Sequence, residues 1–291
     1  MSSLRYPING LVSFHYYKDK DLGRLDYMRL IGDSGAYSAA TQGKPIDLQV
    51  FASWAKKWQH NLAWVASLDV IGDADASYKN WRALRVLGLD VVPTIHFGAK
   101  PQEIDRYAKD GIDFIGLGGM VPRKAEPKKL ISWAVSMMAH AEREGFGTRF
   151  HGWGITRPDV VQVLPWYSVD STSVMRGFRF GETILFDPHA GKFTTLYSGA
   201  DAYRHRHLLA DHYDGVTPEQ MNERSRQKSS PRMAAAVKSF QLFEDHLRKR
   251  QVITAPKYGV ESNAPAGPHV HVVMSSVDNM SLVSREEKGI A

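Results

Sequence analysis

The sequence predicts an α/β fold, a (β/α)8 TIM barrel followed by a C-terminal basic helical extension. Two observations predict it. Short β-branched or aromatic runs alternate with segments of helical period, and eight such runs fit between residues 10 and 190. With 291 residues and 43% hydrophobic content, the chain can bury such a barrel as one core. A doubly wound open sheet is the second choice. The expected organisation is a catalytic barrel over 1–199, a basic helical extension packed on it over 200–251, and an extended or partly disordered tail over 252–291.

The expected strands, in order, begin with Gly10 to Tyr16, Arg29 to Gly35, Ala63 to Val70 and Asp90 to Gly98. Asp113 to Gly119, Arg149 to Ile155, Tyr167 to Ser173 and Glu182 to Pro188 complete the eight. Between them, Ile46, Val50, Trp54 and Trp58 recur every four residues, and Leu130, Trp133, Ala134 and Met137 repeat a helical stripe that stops at Gly145. "GDADASYKNWRALRVLG" offers Asp73 or Asp75 as N-cap and Gly88 as C-cap. "AKPQEIDRYAKDG" has proline near its first turn and ends at Gly111.

From about residue 200 the chain becomes polar and basic, and it reads as two helices parted near "SSP". Beyond Val252 it is rich in Pro, Gly and Ser, with "HVHVVMS" as one possible strand. The net charge of +6 points to an anionic partner. Arg204, Arg206, Arg224, Arg226, Lys228 and Arg232, with Lys238 and Arg248 to Arg250 beyond, suit a phosphate-binding surface, against the plainer reading of a solvated helix face. Zero cysteines exclude disulfides, thiolate zinc sites and a cysteine nucleophile. The N-terminus has no apolar core of export type, and no apolar run reaches about 18 residues, so a cytoplasmic protein without a membrane partner is expected.

In a barrel of this kind the strand ends share one mouth. Asp33 and Ser34 follow the second strand, Asp69 the third and His96 the fourth; "GLGGM" follows the fifth, "HGWG" the sixth, and Asp170 with Ser171 the seventh. A single carboxylate there could simply cap the next helix. Three on three strands shift the balance, and Asp69 has no obvious structural duty because Asp73 and Asp75 already supply caps. Gly116, Gly118 and Gly119 permit close approach of a ligand to the backbone, or a tight turn. They do not fit GxGxxG, and no P-loop is present. His96 and His151 could each be a base, a donor or a packed core residue.

The order of these motifs resembles the tRNA-guanine transglycosylase superfamily, whose members exchange guanine for a 7-deazaguanine on a (β/α)8 barrel. "DSGAYS" resembles the family's Asp-Ser-Gly-Gly-Phe/Tyr motif, "SLDV" its base-reading Asp strand, and "GLGGM" its Gly-Gly-Leu-like segment. "HGWGITRPDVV" is similar to its strand of the His-x-x-Gly-x-Gly-x-Pro type, and "VDSTSVMR" to the segment carrying the nucleophilic Asp and, six residues on, Arg176. The similarity runs over residues 10–190 in the right order. It implies Asp170 as nucleophile and Asp33 as general acid/base. It further implies Asp69 as reader of the base edge, Gly118, Gly119 and Met120 as backbone contacts, Tyr37 as a stacking wall, and Ser34, His96 and Arg176 as further substrate-binding residues.

The chain departs from the family in lacking the three cysteines of its structural zinc site, in having His96 where glutamine is common, and in having Ala36 for the second glycine of the motif. In this it is similar to the phage and bacterial DNA-modifying branch, the DpdA-like enzymes. The resemblance therefore implies DNA and a free 7-deazaguanine base, such as 7-cyano-7-deazaguanine, as substrates of a pentosyltransferase without cofactor. The alternatives are a tRNA transglycosylase of queuosine or archaeosine type and a catalytically inactive nucleic-acid-binding relative. A metal site from His205, His207, His212 and Asp211 competes with the reading of solvated helical histidines. A metal-dependent barrel hydrolase is less favoured, because both His-x-His pairs, His205/His207 and His269/His271, lie after the expected barrel.

Overall fold

In a computed structural model of the chain, the residues described are 8–120, 127–171, 182–197, 199–222, 230–254 and 268–273. Nine parallel strands form a barrel-shaped sheet of eight staves. They are β1 (Asn9–Ser13), β2 (Arg29–Asp33), β3 (Leu62–Ala66), β4 (Val91–Val92), β5 (Thr94–His96), β6 (Phe114–Gly118), β7 (Arg149–Gly152), β8 (Ser168–Ser171) and, after β9 (Thr183–Asp187) and β10 (Lys192–Leu196), β11 (His269–Val273). β4 and β5 are one stave interrupted at Pro93, which has no N–H to give a ladder. The Val92 carbonyl accepts from Ser67 N on the β3 side at 2.8 Å, and the Pro93 carbonyl accepts from Gly116 N on the β6 side at 2.8 Å. That broken stave closes the ring, since the sheet runs β4-β3-β2-β1-β11-β8-β7-β6-β5.

The eighth stave is not the one that the sequence reading assigns. Thr183–Asp187 pairs antiparallel with Lys192–Leu196 in a separate two-stranded sheet. His269–Val273 instead fills the gap between β8 and β1, with His271 opposite Asp170 and Val272 opposite Gly10. The barrel therefore does not end at residue 199, and the expected tail supplies its last strand. Alternation explains the fit: Val270 and Val272 are buried, His271 packs its ring against Trp64 of β3, and His269, at the start of the strand, packs against Tyr167 just before β8.

Around the staves lie α1 (Phe14–Tyr17), α2 (Ala36–Thr41), α3 (Leu48–Trp58), α4 (Ala74–Val86), α5 (Glu103–Ala108), α6 (Pro127–Arg143) and α7 (Pro158–Val161). Asp47 starts α3 by accepting from Gln49 N and Val50 N, and Asp73, one of the two caps expected, starts α4 by accepting from Ala76 N. On α3 the buried stripe is Phe51, Trp54, Ala55 and Trp58, while Val50 is exposed. A strict four-residue repeat drifts by about 40° per step around the axis, so Val50 falls off the face that holds Trp54.

Between β8 and β11 the chain builds α8 (Gly199–Arg204), α9 (Arg206–His212), α10 (Pro218–Asn222) and the long α11 (Ser230–Thr254). The expected first helix is thus three short ones, and Pro231 sits in the opening turn of α11, where a missing N–H costs nothing. Leu185, Leu196, Leu209, Tyr213, Met221 and Ala235 form a small second core. Tyr213 ties it together: its hydroxyl donates to the Phe186 carbonyl at 2.8 Å, accepts from Phe186 N at 2.7 Å and meets Ser239 Oγ at 2.9 Å. Among the described residues, no helix is long and apolar enough to cross a membrane.

Candidate active site

Asp170 lies at the mouth end of β8 and is buried to 4% exposure. Gly154 N donates to its Oδ1 at 2.6 Å, from the turn that follows β7. The same oxygen lies 3.3 Å from His151 Nε2. His151 is fully buried, and its other nitrogen, Nδ1, lies 2.7 Å from Ser168 Oγ. Burial pushes the His151 imidazole below its ordinary pKa, outweighing the opposing pull of Asp170. Around it pack Trp153, Trp64 and His271, the last held well below the ordinary histidine range chiefly by burial.

Asp33 ends β2, half-buried in the same mouth. Its pKa is pushed from 3.8 up to about 7. Loss of hydration is the main cause; the charges of Asp69 and Asp170 add to it, while the Gly35 N–H and the Ser13 hydroxyl pull it back. The turn that presents Asp33 requires glycine next but one. Gly35 has φ 77°, and a Cβ there would come within 2.5 Å of His15 Cβ and 2.6 Å of Ser13 Oγ. Ser34 is buried, and its Oγ accepts from Ala36 N at 3.4 Å, so the hydroxyl serves the turn.

Asp69 does not cap a helix. Its Oδ2 lies 2.8 Å from His96 Nε2, across from the end of β5. Nearby, Asn80 Nδ2 donates to the Leu68 carbonyl at 3.0 Å and ties the segment before Asp69 to α4. Asp69 and His96, assigned separately to base binding, thus form one unit. Gly118 is packed so closely that a Cβ would meet Thr94 Cγ2 at 3.0 Å and His96 Cδ2 at 3.3 Å, and Gly119 is exposed with φ 70°. Met120 buries its side chain in the core.

Trp153 belongs to this site and carries no role in the sequence reading. Its Nε1 donates to Thr94 Oγ1 at 3.1 Å, and its indole occupies the space that a side chain on Gly116 would need. The "HGWG" motif contains it, and the bare interior of β6 is the reason it fits.

Other assigned residues stand apart from this cluster or beyond what is described. Tyr37 is 73% exposed on the first turn of α2. Arg176, Arg224, Arg226 and Lys228 lie outside the described residues. Arg204 pairs with Asp201 at 3.1 Å, Arg206 is exposed and donates to the Tyr203 carbonyl at 3.3 Å, and Arg232 is half-buried. Lys238 pairs with Asp214 at 2.9 Å. Arg248 is turned inward to Glu244 at 3.0 Å, which removes it from a phosphate-binding surface. Among the described residues, no three His, Asp or Glu side chains are placed to hold a metal ion, so His205, His207, His212 and Asp211 do not converge. Comparison of the sequence with protein-family models and with curated proteins finds no match in either.

Proposed function

We propose that the protein is a guanine transglycosylase that exchanges guanine in DNA for a 7-deazaguanine derivative through a covalent glycosyl-enzyme. The observation that carries this reading is the division of labour between two carboxylates of one mouth. Asp170 is fixed through Oδ1 by Gly154, and Asp33 keeps its proton up to about pH 7. A nucleophile beside a carboxyl of raised pKa is the arrangement that retaining exchange at a glycosidic carbon requires.

In the first half-reaction a carboxylate oxygen of Asp170 bonds to C1′ as the C1′–N9 bond breaks. The electron pair leaves with guanine, which takes the Asp33 proton. In the second, the incoming base loses its N9 proton to Asp33, N9 bonds to C1′, and Asp170 departs as carboxylate. Two inversions give retention. Asp69, steadied by His96, reads the guanine-like edge, and the close-packed backbone at Gly118 and Gly119 lets the base lie flat. The target base must leave its stack, at a cost of a few kcal/mol.

DNA is favoured over tRNA because the chain has no cysteine for the zinc module of the tRNA-acting relatives it resembles. If five basic residues neutralise phosphates, binding weakens with a log-log salt slope of about −4.5. The test is incubation with duplex DNA, single-stranded DNA or tRNA plus 7-cyano-7-deazaguanine, followed by mass spectrometry of the digested nucleosides. Incorporation into DNA is expected. Incorporation into tRNA alone transfers the activity to RNA, and none in any substrate overturns the reading.

A further inference from the structure

We propose that His151 is a positioning residue for the nucleophile, donating from Nε2–H to the Asp170 oxygen that Gly154 also holds. This rests on the transglycosylase reading of the site. The geometry supplies the argument. His151 is wholly enclosed, its Nδ1 is 2.7 Å from Ser168 Oγ, and its Nε2 is 3.3 Å from Asp170 Oδ1. Nε2 makes no aligned hydrogen bond in this state and has no other partner among the described residues, so the Asp170 oxygen 3.3 Å away is the acceptor it can reach with a small shift.

A neutral imidazole carries one proton, and a hydroxyl can give or accept. If Ser168 donates to Nδ1, the proton sits on Nε2 and faces the carboxylate, and every group has a partner. With the opposite tautomer, two lone pairs would face each other across the Nε2 to Oδ1 contact, in a place without water access. The first arrangement wins because an unpaired buried acceptor costs more than a net hydrogen bond contributes. The titratable groups that face His151 are Asp170 from β8 and His271 from β11; burial outweighs the pull of the first, and the second, itself buried and held well below the ordinary histidine range, adds no opposing charge.

The consequence concerns which oxygen reacts and how it leaves. Two donors on Oδ1 reserve Oδ2 for C1′. In the glycosyl-enzyme Oδ1 becomes the ester carbonyl, and as the new base displaces Asp170 the returning negative charge collects partly on Oδ1. Donors already in place there assist that departure. Removing one should slow breakdown of the intermediate more than its formation.

The experiment uses His151→Phe, which keeps a ring against Trp64 and Trp153, together with Ser168→Ala so that the hydroxyl is not stranded. His151→Gln is the conservative variant, because its amide N–H can replace the Nε2 donor. In the Phe variant, turnover is expected to fall about 10- to 100-fold, the loss of one charge-assisted hydrogen bond, while the trapped adduct at Asp170 accumulates. His151→Gln should restore a large part of the rate. Wild-type turnover in the Phe variant, or a fall with no adduct build-up, overturns the assignment. Ring 15N NMR of the wild-type protein gives a second readout that does not need activity. It should show a neutral, Nε2-protonated His151 at about pH 7 and above, since burial holds the ring below the ordinary histidine value, and an Nδ1-protonated or charged ring there overturns the proposal. A protein that exchanges no base sinks the transglycosylase reading, while the tautomer still decides the His151 contact.

Discussion

At the N-terminal end of the barrel, Glu244 of α11 is buried to 3% exposure and surrounded by donors. Asn9 Nδ2 donates to its Oε2 at 2.9 Å, Val270 N to the same oxygen at 2.7 Å, and Arg248 to Oε1 at 3.0 Å. Burial alone would raise its pKa, but His269, Val270 and Arg248 outweigh burial and hold it below the ordinary value. At the C-terminal end, Asp33 is also withdrawn from water, yet the charges near it are the carboxylates Asp69 and Asp170, and its pKa rises. One end neutralises its buried charge and uses it to fasten the last helix to the last strand. The other gathers like charges at a standing cost in stability, and the proposed exchange rests on that arrangement.

The largest effect that breaks this contrast is at the mouth. Asp170→Asn should lower exchange on the order of 10⁴-fold and abolish the covalent adduct, read by nucleoside mass spectrometry; full activity would place the nucleophile elsewhere. Next comes the opposite end. Glu244→Ala should destabilise the fold by about 3–5 kcal/mol in urea unfolding, because Arg248 loses its buried partner. Since the folded pKa of Glu244 lies below its unfolded value of 4.5, its contribution is present above pH 4.5 and lost as pH falls through the folded pKa, and the gap between wild type and variant should close toward acid. A pH-independent gap would show that the charge plays no part.

Asp33→Asn should act with the reverse sign. The folded pKa of Asp33 is raised from 3.8 to about 7, so the folding free energy it supports is fully present below pH 3.8 and lost as pH rises through 7. The Asn variant is therefore expected to be about 2–4 kcal/mol more stable than wild type at pH 8 and no more stable near pH 4, while losing exchange. Destabilisation at pH 8 would remove the like-charge account. The smallest effect expected is that of Asp69→Ala, a fall of about 10- to 100-fold in discrimination between guanine-like and other bases, with the Asp170 adduct still formed. Unchanged selectivity would leave the edge to another group.

Seven of the eight staves were legible because each is a short apolar or aromatic run bounded by glycine, proline or acid, and the helical stripes between them keep their period. The eighth was not. "TILFD" and "HVHVV" are both credible strands, and which of them enters the barrel depends on pairing with β1 and β8 across a long insertion, a non-local fact. The alternation of histidine and valine in the second was the available signal, since a stave shows polar residues to the lumen and apolar ones to a helix. Asp33, Asp69 and Asp170 were legible as acids at strand ends, but the pairing of Asp69 with His96 joins two staves and has no signal in the sequence. Trp153 was hidden because its place depends on the absence of a side chain at Gly116, on another strand. Tyr37, expected as a wall, stands 73% exposed one residue after the start of α2.

The most direct test of the contrast between the two ends is a 13C NMR titration of the Asp33 carboxyl, assigned with Asp33→Asn and repeated in Asp170→Asn. A midpoint near 7 in the wild-type protein that falls when Asp170 loses its charge is the predicted result. An ordinary carboxylate midpoint that ignores the Asp170 substitution would contradict it.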